Sequence, residues 1–230
     1  EYFLDEVFRA GGCGGLAPTT SLLCRVHIEH GAFDIASVAD GNDALFIGYQ
    51  IFGGELAPVK DELSAALVLV LFLDGDELGF DFSFCVEHHF QPHESRMSSP
   101  ALFAVGGGAR TKRLRIGSMG FIAPLYHPLR LAEEIAIIDQ MLDGRFECGL
   151  VPGITARFFT PFGMDYSFRK SPTLEFVHYL RAAYGDTQPF SFHGENHQTE
   201  GATLAVPPVQ KPHPPLWMMS RDPETLEFCA

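Results

Sequence analysis

The sequence has few basic side chains and lacks any pair of cysteines at the spacing of a metal or redox motif. Its 230 residues include 16 Lys and Arg against 29 Asp and Glu, so the formal net charge is −13. A surface of that sign repels phosphate backbones and anionic lipids, so we expect neither nucleic acid nor a membrane as a partner. The five cysteines are an odd number without a CxxC pair. They indicate neither a disulfide framework nor a zinc site, and they fit a reducing compartment.

Long apolar runs are missing as well. The apolar run at residues 67–73 is far shorter than the roughly 20 residues of a membrane-spanning helix. The N-terminus lacks the basic segment of a signal peptide, so we expect a cytoplasmic protein. Histidines 27, 30, 193 and 197 have no carboxylate or cysteine set beside them, and we predict no metal site. With 46% hydrophobic and 20% charged residues, the composition is typical of a folded globular chain.

The N-terminal part carries no clear periodicity. Four glycines between residues 11 and 15 interrupt any pattern, and only residues 21–30 could form a short element. We therefore interpret residues 1–42 as an irregular stretch of unknown role. One domain is predicted over residues 43–230.

From residue 44 onward, strand-like segments alternate with helix-like segments. The strand-like segments are rich in β-branched and aromatic residues and cover residues 44–52, 81–86, 114–121, 145–151 and 214–220. Helices are predicted after Pro58, from residue 98, over residues 127–144 and 173–184, and from Pro223. Three glycines at 106–108 predict either an early end of the second helix or unusually close packing there. Residues 189–206 alternate in character and predict an inserted hairpin.

Five alternations of strand and helix predict a parallel sheet, hence an α/β barrel or a doubly wound sheet. The segment IFGGELAP (51–58) lacks the GxGxxG spacing of a dinucleotide-binding sheet, which favours the barrel. In either fold, the loops after the strands carry function. Glu87-His88-His89 follows the second strand. An imidazole at that position could donate or accept a proton near neutral pH.

Three segments together resemble the bacterial luciferase-like monooxygenases. They are GFDFSFCVEHHF (79–90), TKRLRIGSMGFIAPLYHPLRLAEEIAIIDQMLDGRFECGLVPG (111–153) and PPVQKPHPPLWMMSRDPETLEFCA (207–230). The resemblance implies an α/β fold, a (β/α)8 TIM barrel, of which this chain holds about five β/α units. Because such a barrel needs about 250 residues, we expect the chain to be incomplete at its C-terminal end.

The resemblance also implies a function. It is that of a monooxygenase using reduced FMN and O2 to oxidise a small organic substrate, with a separate flavin reductase and a homo- or heterodimeric assembly. Two alternatives stay open. One is a deazaflavin-dependent reductase or dehydrogenase of the same fold, and the other is a non-catalytic flavin-binding protein.

Site residues follow from the same resemblance. The first histidine of the EHH motif implies that His88 is catalytic and assists flavin hydroperoxide chemistry. Ser118, Met119 and Gly120 match the strand that passes along the flavin ring, sometimes through a cis peptide that is not prolyl. Trp217 we interpret as strand packing, and Met218 and Met219 as core or pocket wall.

The resemblance places the flavin phosphate near the end of the fifth strand. The residues implied to bind it are Arg169, Ser220, Arg221, Asp222 and Thr225. A guanidinium, a hydroxyl and free N–H groups at a helix start suit a dianionic phosphate. After the fourth strand, however, Val151 and Pro152 stand where luciferase has a cysteine and an arginine, so one phosphate contact is expected to be absent. Cys148 we interpret as a small buried hydrophobe.

Overall fold

The computed structural model describes residues 22–28, 31–37, 46–51, 75–90, 97–219 and 223–229. Its strands and longer helices, in chain order, are β1 (Leu22–Ile28), β2 (Gly31–Ser37), β3 (Phe46–Ile51), β4 (Phe82–Cys85), α1 (Pro100–Gly108), β5 (Arg115–Ile122), α2 (Pro128–Met141), β6 (Phe146–Val151), α3 (Lys170–Ala183), β7 (Phe190–His193), β8 (Gln198–Ala202), β9 (Leu216–Met218) and α4 (Pro223–Cys229). The predicted strands from residue 44 onward and the predicted hairpin are therefore confirmed. The predicted helix after Pro58 lies mostly outside these residues, except for a helical turn at 75–78.

The main sheet has the order β1-β2-β3-β4-β5-β6-β9. From β3 to β9 each strand pairs in parallel with the next strand of that order. Neighbours in the parallel part thus follow chain order, whereas a doubly wound sheet reverses its order at a switch point. This progression is that of a barrel sheet, and it decides between the two folds that the alternation of elements left open.

The N-terminal strands are a difference from the sequence prediction. β1 and β2 pair antiparallel, in register from Leu22 with Ser37 to Ile28 with Gly31. β2 also pairs antiparallel with β3. Only β1 falls within the predicted short element at 21–30. Antiparallel strands are held together by hydrogen bonds between their main chains, and the periodicity of side chains does not reveal these bonds.

Helix α1 runs through the three glycines rather than ending early. A Cβ atom on Gly108 would overlap the side chain of Leu142, which lies just beyond α2. By contrast, a Cβ on Gly106 would meet nothing within 4 Å. Of the two alternatives, close packing is found at Gly108, because the missing side chain lets α1 approach the end of α2.

The main core lies between the sheet and its helices. Along β6, Phe146, Cys148 and Leu150 are fully buried in this core, whereas the alternate residues face the concave side of the sheet. The helices contribute Leu131 and Ile135 from α2, both fully buried. Cys148 is thus a small buried hydrophobe, as expected. In the described part of the chain, no helix is both long and apolar enough to cross a lipid bilayer.

Candidate active site

A cavity of about 880 Å³ opens at the carboxyl ends of the parallel strands. This volume falls within the range of roughly 300–1,000 Å³ that is usual for small-molecule sites. Its walls come from the ends of β4, β5, β6 and β9 and the loops that follow them, and they consist of Val86, Glu87, His88, Met119, Gly120, Ile122, Val151, Pro152, Gly153, Ile154, Phe158, Met218 and Met219. Most of these residues are apolar, so the cavity suits a ligand with a large apolar surface.

A bulge in β5 brings three of its residues into the cavity wall. Between Ser118 and Phe121, β5 advances by three residues while β6 advances by two, so β5 carries one extra residue. The bulge reverses the alternation of side chains: Met119, Gly120 and then Ile122 line the cavity, while Phe121 enters the core.

The hydroxyl of Ser118 stabilises this bulge. It accepts a hydrogen bond from the main-chain N–H of Gly120 at 2.9 Å, in a fully buried position. Among the three residues matched to the flavin ring, Met119 and Gly120 therefore line the cavity, and Ser118 lies behind the wall. In the described segments, the cis peptide bonds are Gln188–Pro189 and Lys211–Pro212, so the bond between Met119 and Gly120 is trans.

Glu87 anchors the EHH motif through hydrogen bonds from the end of β5 and from the turn after it. The residue is 3% exposed, yet it lines the cavity. One oxygen accepts from the N–H of Ile122 at 2.8 Å, and the other accepts from the Tyr126 hydroxyl at 2.9 Å and contacts Nε2 of His89 at 2.7 Å. Burial and the neighbouring Glu87 raise the pKa of Tyr126 well above its usual value, so the phenol stays a donor. Glu87 thus holds the loop after β4 against the end of β5.

His88 lines the cavity beside this anchor. Its main-chain N–H donates to the carbonyl of Met97 at 2.7 Å, which fixes the loop on its other side. The imidazole packs against the ring of Phe158, with ring centroids 5.2 Å apart. The predicted catalytic histidine therefore sits at the mouth of the strands, at a wall where a bound ligand would meet it.

Aromatic side chains continue outward from this wall. His89 packs against Phe158 and Phe162, and Phe90 lies 5.4 Å from Phe162 between ring centroids. Phe90 and Phe162 are 57% and 51% exposed. Phe90 also holds a φ of 59°, a left-handed conformation that is a clear outlier for a bulky residue. The main chain directly after the EHH motif is strained where it meets this aromatic rim.

Arg169, predicted to bind phosphate, lies at the start of α3 and is absent from the cavity wall. Its guanidinium lies 3.9 Å over the ring of Tyr166 and donates to the carbonyl of the same residue at 3.2 Å. Tyr166 in turn packs on Phe159, whose neighbour Phe158 lines the cavity. Arg169 therefore contacts the cavity wall only indirectly, through the rings of Tyr166 and Phe159.

The other predicted phosphate residues can be placed only in part. Thr225 is buried in the first turn of α4. Ser220, Arg221 and Asp222 lie outside the described residues. Across the stretches that the structure describes, no group of three or more His, Cys, Asp or Glu side chains could hold a metal ion.

Beneath the cavity, the concave face carries a polar floor that sequence reasoning missed. Glu147 of β6 is 1% exposed and accepts hydrogen bonds from Nε of Arg115 and, at 2.6 Å, from the indole N–H of Trp217. Arg115 also donates to the side chain of Gln210 at 2.7 Å, which donates to the buried Asp139 at 2.7 Å. Burial raises the pKa of Glu147, and the hydrogen bonds from Trp217 and Arg115 oppose this shift.

Some features of the wall carry a sequence signal, and others do not. Met218 and Met219 were expected in the core or the pocket wall, and both line the cavity. Phe158 and the donor Tyr126 were not predicted, because both lie in loops without regular periodicity. The anchoring role of Glu87 did leave a signal in the sequence. A carboxyl group directly after a buried strand needs hydrogen-bond donors nearby, and His89 is one contact of this kind.

A parallel sheet in chain order with an apolar cavity at its carboxyl edge is the architecture of a TIM barrel. A family model described as luciferase-like monooxygenase matches residues 48–230. The chain therefore belongs to the luciferase-like monooxygenase family, and the predicted resemblance is confirmed.

Relatives agree with this family. The chain is 34% identical over 155 residues to the uncharacterized protein y4wF of Sinorhizobium fredii, a match that covers 67% of this chain and 45% of that protein. It is 32% identical over 124 residues to the oxygenase component of the flavin-dependent trigonelline monooxygenase of Acinetobacter baylyi, covering 53% of this chain and 34% of that protein. The matched regions thus span less than half of these relatives.

Solved structures show the same fold. The monooxygenase RslO1 from Streptomyces bottropensis superposes with a TM-score of 0.69 at 25% identity, covering 74% of this chain and 51% of that chain. The oxygenating constituent of 3,6-diketocamphane monooxygenase from Pseudomonas putida, in complex with FMN, gives a TM-score of 0.61 at 19% identity, with coverages of 69% and 46%. An F420-dependent secondary alcohol dehydrogenase gives 0.59 at 20% identity, with coverages of 67% and 48%.

Proposed function

We propose that this protein is the oxygenase of a two-component system, which uses reduced FMN and O2 to oxidise a small organic substrate. The observation that supports this function best is the cavity itself. It lies at the strand ends, its walls are mostly apolar, and Glu87 and His88 are the ionisable side chains among the described residues that line it. A planar, largely apolar ring system fits such a wall, with one imidazole beside it.

The lining residues fit the ring of a flavin better than its phosphate. Met119, Gly120 and Val151 supply thioether, main-chain and aliphatic surface on adjacent strands. Among the described lining residues there is no Arg or Lys, so a phosphate would have to be held outside this wall. We propose Arg169 and the start of α4, with Thr225, for that task, together with Ser220, Arg221 and Asp222.

When bound, reduced FMN would supply the electrons and the oxygen-activating chemistry. The chain's own residues have three tasks. The apolar wall excludes water from the reacting region. Glu87 fixes the loop after β4 through the N–H of Ile122 and the hydroxyl of Tyr126. His88 holds or accepts a proton at the cavity wall, because its imidazole lines the cavity and Phe158 limits its movement.

The first experiment supplies purified protein with enzymatically reduced FMN and isotopically labelled dioxygen, together with a panel of aldehydes, ketones and aromatic compounds. We expect labelled oxygen in one product, detected by mass spectrometry. Replacing His88 with Ala should lower kcat by about 100-fold, the lower end for the loss of a general acid or base. The exposed His127, at the start of α2, gives a matched control whose Ala variant should keep its activity. Label in no product would contradict the proposal.

A second candidate is hydride transfer with a deazaflavin, because an F420-dependent dehydrogenase shares the fold. A deazaflavin reaction needs no oxygen, so the two functions separate under anaerobic conditions. Titration with FMN and with a deazaflavin, followed by equilibrium dialysis, measures which cofactor the protein prefers. Tighter binding of the deazaflavin, with substrate turnover in the absence of oxygen, would establish the second candidate in place of the first.

Other parts of the proposal extend the family relation. The relative from Acinetobacter baylyi is described as an oxygenase component, and from this we propose a separate flavin reductase as partner. Related alkanal monooxygenases are described as alpha and beta chains, and from this we propose a homo- or heterodimer. Pull-down with a flavin reductase and analytical ultracentrifugation test these two proposals.

A further inference from the structure

Methionines are concentrated in the cavity wall. The chain has six methionines, and three of them, Met119, Met218 and Met219, line this cavity. They come from the bulge of β5 and from the end of β9. A thioether packs well against a flat aromatic surface. It is also one of the side chains most readily oxidised, and its product, the sulfoxide, is polar.

The proposed function brings an oxidant to these thioethers. If reduced FMN meets O2 in the cavity when no substrate is bound, dioxygen would take two electrons and two protons from it and become hydrogen peroxide, with oxidised FMN left behind. A methionine sulfur then attacks one oxygen of the peroxide. The O–O bond breaks, a new S–O bond forms, and the second oxygen leaves as water. The sulfur is oxidised to a sulfoxide and the peroxide is reduced.

We propose that Met119, Met218 and Met219 are sites of self-oxidation, which inactivates the enzyme when it turns over without substrate. This inference rests on the proposed function, because the oxidant arises from reduced FMN and O2 at the same site. A sulfoxide places a strong hydrogen-bond acceptor in an otherwise apolar wall, and a polar group buried without a partner is unfavourable. Oxidation therefore weakens the binding of an apolar ligand, and a bound substrate protects the wall.

Exposure alone gives a different order of reactivity, which makes the inference testable. Met141 is 57% exposed, Met219 is 50% exposed and Met164 is 39% exposed, whereas Met119 and Met218 are only partly exposed. Met141 ends α2 and precedes the start of β6, so it lies toward the amino ends of the strands, away from the cavity. Peroxide in bulk solution should oxidise Met141 at least as fast as Met219. An oxidant formed in the cavity should favour the three wall methionines.

The experiment incubates the protein in the dark with a flavin reductase, NADH and FMN, with catalase present to remove peroxide from solution and without substrate. Peptide mass spectrometry then gives the sulfoxide fraction at each methionine. We expect Met119, Met218 and Met219 to be oxidised several-fold faster than Met141. A sulfoxide fraction at Met141 equal to or above that of the wall methionines, or no sulfoxide at all, overturns the inference. Added hydrogen peroxide without catalase supplies the reference order for bulk oxidation.

Variants that lack these sulfur atoms test whether methionine oxidation causes the loss of activity. Met219→Leu alone, and the triple change to Leu at 119, 218 and 219, conserve side-chain volume and remove the sulfur. Each variant's activity is followed relative to its own starting value. We expect both to lose activity more slowly than the unchanged protein, whereas Met141→Leu should leave the rate of loss unaltered. Methionine sulfoxide reductase should restore activity to the oxidised protein, and failure of both effects overturns the inference.

The two proposals fail in different ways. Product carrying labelled oxygen, combined with wall methionines that stay reduced, retains the monooxygenase and rejects self-oxidation. The absence of both the labelled product and the sulfoxide rejects both proposals.

Discussion

The concave face of the sheet differs sharply between its two ends. At the amino ends of the strands, the floor consists of Arg115, Glu147, Trp217 and Gln210, joined by side-chain hydrogen bonds. At the carboxyl ends, the same strands present thioether, aliphatic and glycine surface around a cavity of about 880 Å³. One end is filled and its polar groups are paired, while the other is open and mostly apolar.

This contrast shows that one set of strands serves both stability and ligand binding. In TIM-barrel proteins the amino-terminal face serves stability and the carboxyl-terminal face serves function. Here β6 shows both within three alternating positions, since Glu147 belongs to the floor, Gly149 lies between, and Val151 lines the cavity. Substitutions at the floor should therefore change the free energy of unfolding, and substitutions at the wall should change ligand binding in addition to any effect on stability.

The largest effect is expected at the floor, for Glu147→Ala. It leaves the Arg115 guanidinium, with 29% of its side chain exposed, and the Trp217 indole without their shared acceptor. We expect a loss of about 3 kcal/mol in the free energy of unfolding, the lower end for breaking a buried pair. Urea unfolding followed by circular dichroism measures it. Trp217→Phe is the control, since it removes one of these hydrogen bonds and keeps the ion pair. A loss below that of Trp217→Phe would contradict the assignment.

At the wall, Gly120→Ala should have the next largest effect. The added Cβ would lie 2.6 Å from Cγ2 of Val151, and overpacking of this kind costs about 1–3 kcal/mol. The double variant with Val151→Ala should recover most of this loss, because the clashing methyl groups are gone. Thermal unfolding of the four proteins in a double-mutant cycle gives the coupling energy. Strictly additive losses would show that the two residues do not meet.

Two buried serines on neighbouring strands should respond in opposite ways. Ser118→Ala removes the acceptor for the Gly120 N–H, and we expect a loss of about 1–3 kcal/mol in the free energy of unfolding. Ser83 of β4 is equally buried, and within the described residues its hydroxyl has no hydrogen-bond partner. Ser83→Ala should therefore be neutral or slightly stabilising. Equal losses for both variants, measured by urea unfolding, would reject the role of Ser118 in the bulge.

The smallest effect is a pH dependence at the floor. Burial raises the pKa of Glu147 above 4.5, so the folded state binds this proton more tightly than the unfolded state. Its contribution to stability is complete below pH 4.5 and is lost as the pH rises through the folded-state pKa. Glu147→Gln should remove this part of the slope. Unfolding free energies of both proteins across this range test it, and parallel curves would contradict the prediction.

Much of the fold could be predicted because the parallel strands are buried on both faces. The segment FECGLV (146–151), for example, is apolar except for Glu147, and such runs are typical of parallel strands. Helix α2 has Leu131, Ile135 and Ile138 at helical spacing. β1 and β2 lack comparable runs, and pairing between main chains leaves little trace in side-chain character. The path of α1 through its glycines depended on Leu142, a residue 34 positions from Gly108.

Part of the cavity wall was predictable from motifs in the sequence. His88 lies in the loop after the second predicted strand, Met119 and Gly120 lie near the end of the third, and all three line the cavity. The floor was not predictable, since it joins Arg115 with residues 32 and 95 positions away in the chain. The contact of Arg169 with Tyr166 was not predictable either, because it depends on how the loop after β6 folds.

Trp217 gives the protein a built-in optical probe. It is the only tryptophan of the chain, its indole is fixed by Glu147, and the next two residues line the cavity. Its ring also meets Phe82 and Phe84 edge-on, 6.5 and 5.8 Å away between ring centroids. The emission of this single indole should therefore respond both to the arrival of a coloured ligand above it and to loosening of the strands below it.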